Sequence, residues 1–364
     1  MLREIYQQPD AIQATLDHYL DGDTLNAAAF GKASEIFHRH KDLIITASGS
    51  SRHAGLAAEI MLEDTSCLAV DVEYASEYIC RSTNTKRDPA VLVISQSGET
   101  ADTLAALREA KYRHHPTLAV TNVASSSMAR EAEISLPTVA GIERAIPATK
   151  SFTTQLVVLR LLSLLAAQAR AEISPDQLAE QVRLIRKVPS TIEQQLDGWQ
   201  KVTHELAGVY GSAKTLLYLG RGVHYAIARE GALKLKESSY IHAEGYPAGE
   251  LKHGPNALVS DEVPLVVLAT ADHDDTESML RYDKTVALLD DMRQQGARTI
   301  AVCNAGDETL RALASHVIEV TAANEYLLPI SEVVPLQMFA YFMAIQNGVD
   351  VDRPRNLVKS VVRE

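Results

Sequence analysis

The sequence predicts an α/β protein built as two tandem doubly wound parallel-sheet sandwiches, followed by a C-terminal tail. Its 364 residues correspond to about two domains at roughly 150 residues each. Apolar residues make up 46% of the chain and aromatic residues only 5%, which favours aliphatic helices packed on a sheet. Short apolar runs also alternate with helical patterns, which is typical of a parallel sheet covered on both faces.

The alternating pattern occurs twice, so the chain contains an internal repeat. Each copy has an apolar run, a turn of small or polar residues and an amphipathic helical run, in the same order. The matching segments are LIITASGSSRHAGLAAEIML at 43–62 with LLYLGRGVHYAIAREGALKL at 216–235, VLVISQSGETADTLAALREA at 91–110 with the run that starts at 265–270, and TLAVTN at 117–122 with TIAVCN at 299–304. Ligands of such folds bind where the strands end and the turns lead into helices.

The repeat divides the chain into five predicted parts. We expect an N-terminal segment at 1–30, a first sandwich at 31–170, a helical linker at 171–206, a second sandwich at 207–345 and a tail at 346–364. The linker contains two prolines and charges at helical spacing. The tail has too little apolar periodicity for a third core, so we expect it to dock on the folded chain or to remain loose.

Composition excludes several classes of protein. The formal net charge of -12 disfavours binding to nucleic acid. Cys67, Cys80 and Cys303 lack the spacing of a disulfide framework or a zinc site, which favours a reducing cytoplasm. The N-terminal stretch MLREIYQQPDAIQ has charges and a proline where a signal peptide needs an apolar run, and no segment approaches about 18 consecutive apolar residues. We expect neither export nor a membrane span.

The turn SQSGET at 95–100 is the strongest candidate for anion binding. It follows an apolar strand and precedes a helix, so hydroxyl and backbone N–H donors converge where the helix dipole favours negative charge. The alternative is an ordinary helix cap, because Ser and Thr cap helices in most proteins. A cap needs one hydroxyl, whereas this turn has three beside an amide, at Ser95, Gln96, Ser97 and Thr100.

A second turn, SGSS at 48–51, has the same character and follows the neighbouring strand of the repeat. Two hydroxyl-rich turns at one edge favour a phosphate monoester over a dinucleotide. A dinucleotide site requires GxGxxG and a later acidic residue, whereas the chain has only GRG at 220–222. HExxH and GxSxG motifs are also absent from the sequence, and we predict neither a metal nor a cofactor.

The second half contains the densest group of chemically active residues, EGALKLKESSYIHAEGYPAGELKHGP at 230–255. Glu230, Lys234 and Glu237 have the spacing i, i+4, i+7 and share one helical stripe. Such a stripe is commonly a solvated face with ion pairs. Because Leu233 lies on the same stripe, the face is not purely exposed, and we favour a catalytic role for Glu237.

Two further residues are ordinary when taken alone. His253 lies in a loop rich in glycine, where a histidine is usually a surface residue, although its pKa near neutrality suits proton transfer. Lys359, in the tail, would by default be a surface lysine.

The longer motifs together resemble the isomerase half of glucosamine-6-phosphate synthase, a pair of sugar isomerase (SIS) domains. The resemblance covers essentially the whole chain. It rests on EIYQQP at 4–9, SQSGETADTL at 95–104, EGALKLKE at 230–237, YIHAE at 240–244, GELKHGP at 249–255 and RPRNLVKSV at 353–361.

The resemblance implies a role for each matching residue. Glu237 would move the proton between C1 and C2 of the sugar, with support from Lys234 and Glu230. His253 would open the sugar ring from the partner subunit, which implies a homodimer, and Lys359 would form a Schiff base with the open-chain ketose. The residues implied in holding the sugar phosphate are Ser50, Ser51, Ser95, Gln96, Ser97 and Thr100.

This chain also departs from the synthase pattern. The synthase begins with a glutaminase domain whose nucleophile is an N-terminal cysteine, whereas this sequence begins MLREIY. Ser48 stands where the synthase often has cysteine, and PATK at 147–150 replaces an ASTK-like run. Without a source of ammonia, such a sugar site is expected to run in the hydrolytic direction, from glucosamine 6-phosphate and water to fructose 6-phosphate and ammonia.

Other functions fit the same pattern. One is a sugar-phosphate aldose-ketose isomerase, and another is a deglycase that acts on a phosphorylated fructosamine. A different class is a sugar-phosphate sensor without turnover. A sensor needs the phosphate turns but no proton shuttle, so Glu237, His253 and Lys359 argue against it.

Overall fold

The computed structural model describes residues 1–81 and 87–362. The chain forms two compact units. The amino-terminal unit comprises Gln7–Glu143, Lys150–Pro189 and the end of the chain from Val358. The carboxyl-terminal unit comprises Met1–Tyr6, Arg144–Thr149 and Ser190–Leu357.

The strands of each parallel sheet are separated by helices or, at one place, by 3-10 turns, and further helices and a short antiparallel strand pair flank them. Up to the middle of the chain the elements are α1 (Leu2–Tyr6), α2 (Gln8–Tyr19), β1 (Leu20–Asp21), β2 (Thr24–Leu25), α3 (Ala33–Arg39), β3 (Asp42–Ala47), α4 (Gly49–Ser66), β4 (Ala69–Tyr74), α5 (Ala75–Cys80), β5 (Ala90–Ser95), α6 (Ala101–Tyr112), β6 (Thr117–Thr121), α7 (Ser127–Glu131), β7 (Ile134–Pro137), α8 (Lys150–Ala169), α9 (Pro175–Ile185) and α10 (Val188–Tyr210). The remaining elements are β8 (Thr215–Gly220), α11 (Val223–Ser239), β9 (His242–Pro247), β10 (Leu265–Leu268), α12 (Thr276–Gln294), β11 (Thr299–Asn304), α13 (Glu308–Leu313), β12 (His316–Val320) and α14 (Leu328–Gln346). Short 3-10 turns lie at Ala27–Phe30, Ala248–His253 and Pro255–Leu258.

Each unit contains one five-stranded parallel sheet, and the two sheets have the same topology. The order is β4-β3-β5-β6-β7 in the amino-terminal unit and β9-β8-β10-β11-β12 in the carboxyl-terminal unit. The chain order of strands and helices also matches between the two units, except that 3-10 turns stand between β9 and β10 where α5 lies between β4 and β5. The predicted fold class of two tandem doubly wound sandwiches is therefore confirmed.

The strands are continuous apolar runs because both faces of each sheet are covered. Every residue of β5, from Ala90 to Ser95, is buried, and so is every residue of β11. A strand exposed on one face would instead alternate between apolar and polar residues. The segments TLAVTN and TIAVCN, noted as echoes in the sequence, form β6 and β11, which occupy the same position in their sheets.

The residues predicted as a helical linker, 171–206, contain α9 and most of α10. A capping box fixes the start of α9, since the Ser174 hydroxyl accepts the N–H of Gln177 and the Gln177 side chain accepts the N–H of Ser174. The boundary between the two compact units falls within α10, after Pro189.

Two helices are more apolar than the sequence analysis anticipated. By length and composition, α8 and α14 are each apolar enough to cross a membrane, although polar residues interrupt both, as the sequence analysis expected of every apolar run. Most of each segment is nevertheless buried inside the protein, at 89% and 83%. Their apolarity has a structural reason, because α8 packs on α2, α3 and α4 and α14 packs on α11.

Close packing in the carboxyl-terminal unit depends on Gly231 in α11. A Cβ atom at this position would lie 2.9 Å from Leu336 Cδ1 of α14 and 2.9 Å from Tyr218 Cε1 of β8. Both neighbours are fully buried, so neither can move aside easily. The glycine therefore lets α11, which carries three predicted site residues, pack directly against α14 and the sheet.

We expect Gly231→Val to lower the free energy of unfolding by about 1–3 kcal/mol, because the added atoms overpack this contact. The urea midpoint, followed by circular dichroism, measures the loss. The matched control is Gly208→Ala in α10, where a Cβ meets no described heavy atom within 4 Å. That substitution should stabilise the protein by up to about 1 kcal/mol through helix propensity. A Gly231→Val variant as stable as the wild type would contradict the close approach.

Candidate active site

The SQSGET turn connects β5 to α6 at the carboxyl edge of the amino-terminal sheet. Gly98 adopts a φ of +66°, and a Cβ atom there would overlap the Ser126 hydroxyl. Its carbonyl accepts the N–H of Met128 at 3.1 Å. Only glycine combines this left-handed conformation with so close an approach. The turn is thus held against the loop that follows the next strand.

The hydroxyl groups of this turn organise its backbone rather than cap its helix. Ser95 Oγ lies 3.1 Å from Thr100 Oγ1 and accepts the N–H of Gly98 at 3.1 Å. Ser97 Oγ accepts the N–H of Glu99 at 3.2 Å. Thr100 is the N-cap residue of α6, yet among the described residues its hydroxyl accepts no N–H of that helix. The simple helix-cap alternative therefore does not describe Thr100.

The SGSS turn lies beside the first turn, as the sequence predicts. It follows β3, which pairs directly with β5 so that Ala47 stands opposite Ile94. Ser48 precedes α4, and Ser50 and Ser51 lie in its first turn. Ser51 is buried, and its hydroxyl accepts a hydrogen bond of 3.1 Å from Gln155 of α8. Parallel pairing therefore brings both hydroxyl-rich turns to one edge of one sheet.

The end of the chain docks on the SQSGET turn. Ser360 Oγ lies 3.0 Å from Ser97 Oγ, and the carbonyl of Val361 accepts the N–H of Ala101 at 2.9 Å. Because Ala101 is the first residue of α6, the tail uses one of the N–H donors at the helix start. Of the two outcomes expected for the tail, docking is the one the structure shows.

Lys359 pairs with a buried acid of the same unit. Its Nζ donates to Glu143 Oε2 at 2.5 Å. The Glu143 side chain is completely buried, and it also accepts the N–H of Ser151 at 3.1 Å and the Ser151 hydroxyl at 2.7 Å. Sequence reasoning identified Lys359 only through the resemblance and did not single out Glu143.

Glu230, Lys234 and Glu237 form one group on α11, in the carboxyl-terminal unit. Lys234 Nζ lies 2.6 Å from Glu237 Oε2 and 3.5 Å from Glu230 Oε1. Lys234 and Glu230 are buried, whereas the Glu237 side chain retains 22% exposure. The shared helical stripe is therefore largely a buried ionic group and not a solvated face. One carboxylate at its end remains accessible and is oriented by a buried ammonium group.

His253 ends the 3-10 turn at Ala248–His253 and is exposed. The next residue, Gly254, has a φ of +143°, which favours glycine. His253, Glu230, Lys234 and Glu237 all belong to the carboxyl-terminal unit, whereas the phosphate turns and Lys359 belong to the amino-terminal unit. Each unit thus assembles its own group of the predicted residues.

A buried ionic group in the carboxyl-terminal unit was missed by sequence reasoning. His224, near the start of α11, lies 2.8 Å from Glu332 Oε1 through Nδ1 and 3.4 Å from Glu325 Oε1 through Nε2. Arg281 Nε donates to Glu325 at 2.9 Å. The repeat aligns His224 with Ser51, which is a predicted phosphate ligand in the first half of the chain. This alignment is the signal in the sequence that could have drawn attention to His224.

The surroundings of His224 favour its charged form. Burial opposes protonation, but the carboxylates of Glu332 and Glu325 outweigh that effect and raise the pKa of His224 to about 10. Burial likewise opposes ionisation of Glu325, but His224, Ser278 and Arg281 outweigh it and lower the pKa of that carboxyl to about 2. Each of the two cationic side chains in the cluster thus faces a buried carboxylate.

Both halves of the chain match the same family model. The SIS domain model matches residues 36–165 and 210–346, which contain the two five-stranded sheets. The chain belongs to the SIS domain family. Its two SIS domains correspond to the tandem pair that the sequence motifs indicated.

Proteins similar to this chain are named as enzymes that act on sugar phosphates. The chain is 41% identical over 366 residues to glutamine-fructose-6-phosphate aminotransferase (isomerizing) of Pseudomonas putida, covering all of this chain and 59% of that protein. The C-terminal domain of glucosamine-fructose-6-phosphate aminotransferase from Francisella tularensis superposes with a TM-score of 0.90 at 35% identity, over 97% of each chain. A glucosamine-6-phosphate deaminase of Thermotoga maritima shares the fold, with a TM-score of 0.68 at 22% identity, over 96% of this chain and 99% of that one.

We expect His224→Gln to lower the free energy of unfolding by about 3 kcal/mol at pH 6, because it removes the cation that faces the buried Glu332 and one of the two that face Glu325. The raised pKa of His224 means that its contribution is fully present below about pH 6.5 and is lost as the pH rises towards 10. The difference between wild type and variant should therefore shrink between pH 6 and pH 10. Urea unfolding at several pH values measures it.

The matched control is His242→Gln, which removes a histidine whose side chain is 60% exposed in the same unit. Its effect should stay below about 0.5 kcal/mol at every pH. A loss in His224→Gln that is equal at pH 6 and pH 10 would show that the imidazolium does not balance these carboxylates.

Proposed function

We propose that this chain is a glucosamine-6-phosphate deaminase, converting glucosamine 6-phosphate and water to fructose 6-phosphate and ammonia. The observation that carries the proposal is the accessible Glu237 carboxylate held 2.6 Å from the buried Lys234 ammonium. A sugar-binding protein without turnover has no need of such a group. The aminosugar-phosphate chemistry named for the relatives agrees with this choice.

The two hydroxyl-rich turns would hold the phosphate of the sugar. Ser95, Ser97 and Thr100 supply hydroxyls next to the start of α6, and Ser50 and Ser51 supply more from the neighbouring strand. Gln96 adds an amide to the first turn. Phosphate binding remote from the reacting carbons would orient the open-chain sugar for proton transfer.

Glu237 would carry the proton. It would take the proton from C2 of the open-chain aminosugar and return it at C1, which converts the C2 amine into a C2 imine. Water then adds to this imine and ammonia leaves, which gives fructose 6-phosphate. Lys234 would orient the carboxylate throughout, and Glu230 would balance the Lys234 charge inside the helix bundle.

His253 and Lys359 complete the proposed machinery. His253, exposed on its turn, would assist ring opening in the other subunit of a cytoplasmic homodimer. Lys359 would form a Schiff base with the ketose. Neither role needs a metal or an organic cofactor.

The decisive experiment is an assay of ammonia and fructose 6-phosphate released from glucosamine 6-phosphate by the purified protein. We expect equal amounts of both products, with galactosamine 6-phosphate and glucose 6-phosphate tested alongside. Conversion of a plain sugar phosphate without ammonia would identify an aldose-ketose isomerase. Amine release from a phosphorylated fructosamine alone would identify a deglycase, and binding without turnover would identify a sensor.

We expect Glu237→Gln to retain less than about 1% of the deaminase turnover, because the amide cannot carry the proton, which corresponds to roughly 3 kcal/mol of barrier. Binding of fructose 6-phosphate, measured by calorimetry, should change little. Glu205→Gln, an exposed position on α10, is the matched control and should retain wild-type turnover. A folded Glu237→Gln variant with more than a few per cent of the turnover would contradict the proton-carrier role.

A further inference from the structure

We infer that Glu143 is a positioning residue for Lys359, holding its ammonium group in one place beside the docked tail and taking its proton when the amine reacts. The inference rests on the proposed function, because it concerns the Schiff base assigned there to Lys359. Three observations carry it: the anchoring of the Glu143 carboxylate, its contact with Lys359 Nζ, and the docking of the tail beside that contact.

The Glu143 carboxylate is held by contacts other than the one with Lys359. Oε1 accepts the N–H of Ser151 and Oε2 accepts its hydroxyl, both at the start of α8. Lys150, the preceding residue in the chain, donates instead to Gln7 at 3.0 Å. A completely buried carboxylate at a helix start is stabilised by the dipole and by these donors, so its orientation is determined by the fold.

Lys359 Nζ meets this fixed carboxylate at 2.5 Å, while its side chain retains 26% exposure. A loose tail lysine would sample many rotamers and would lose that conformational entropy when it is ordered. The ion pair fixes the nitrogen at one place. The adjacent contacts of Ser360 with Ser97 and of Val361 with Ala101 fix the backbone beside the phosphate turn.

The chemistry assigned to Lys359 requires a proton acceptor. In Schiff-base formation the ammonium must lose a proton before Nζ can bond to C2 of the ketose, and the C2 oxygen must gain protons to leave as water. The net reaction joins a ketone and an ammonium group to give a protonated imine and water, with no change of oxidation state. Glu143 Oε2, in contact with Nζ, can accept the first proton and return it to the departing oxygen.

Trapping of the imine tests the inference separately from turnover. The intact protein is mixed with fructose 6-phosphate and sodium borohydride, which reduces the imine to a stable secondary amine. Mass spectrometry of peptides then gives the rate of labelling at Lys359. We expect Lys359 to be labelled in the wild type and at least about tenfold more slowly in Glu143→Gln.

Two further variants separate positioning and proton transfer from a merely structural role. In Glu143→Ala the labelling should be equally slow, and added formate should restore part of the rate by supplying the missing carboxylate. Glu143→Asp keeps the negative charge but moves it away from Lys359 by the length of one methylene group. Labelling of Lys359 in this variant should therefore be several-fold slower than in the wild type. Glu133→Gln, which removes an exposed carboxylate from the same unit, should label at the wild-type rate.

The outcomes distinguish this inference from the proposed function. Wild-type labelling in a folded Glu143→Gln variant would overturn the inference, and so would a wild type never labelled at Lys359. If Glu143→Gln does not fold, Glu143→Asp replaces it as the test. A wild-type rate of Lys359 labelling in the Asp variant would then overturn the inference. Slowed labelling in a protein that releases no ammonia would refute the deaminase proposal while retaining the role of Glu143.

Discussion

Parallel pairing of strands buried on both faces is the constraint on which the rest of the structure depends. Because the strands of each sheet run in one direction, all their carboxyl ends meet at the same edge, and the helices that follow begin there. The adjacent strands β3 and β5 therefore place two hydroxyl-rich turns side by side. The same edge provides the helix start on which the tail docks. The parallel sheet itself therefore brings this group of polar residues together.

The two halves use the same framework for different purposes. In the amino-terminal unit Ser51 contacts Gln155, a neutral pair that joins α4 to α8. At the matching position of the carboxyl-terminal unit, His224 contacts Glu332, a charged pair that joins α11 to α14. The acid that we propose as the proton carrier lies instead at the far end of α11, where Lys234 contacts Glu237. Duplication preserved the topology while the polar residues at the sheet edge diverged.

Local patterns made much of this structure predictable. The sheets could be predicted because each strand is a continuous apolar run, and the ionic group on α11 because its members share one helical stripe. Glu143 could not be predicted, since its partner Lys359 is 216 positions away and only the folded chain brings them together. The sequence did not show where the tail docks, because backbone groups and hydroxyls make most of its contacts and such groups leave no distinctive pattern. The apolarity of α8 and α14 could be seen in the sequence, but only the structure shows that neighbouring elements bury it.

The buried cluster around His224 places charged residues at the start of α11, where the matching position of the amino-terminal unit is the neutral Ser51. In the carboxyl-terminal unit, His224 and Arg281 already face the carboxylates of Glu325 and Glu332. An anion that approached this helix start would therefore compete with carboxylates that the fold itself supplies. At the matching turn of the amino-terminal unit, the hydroxyls of Ser50 and Ser51 lie at the positive end of α4. The two copies of the repeat thus differ in what they offer to an incoming anion.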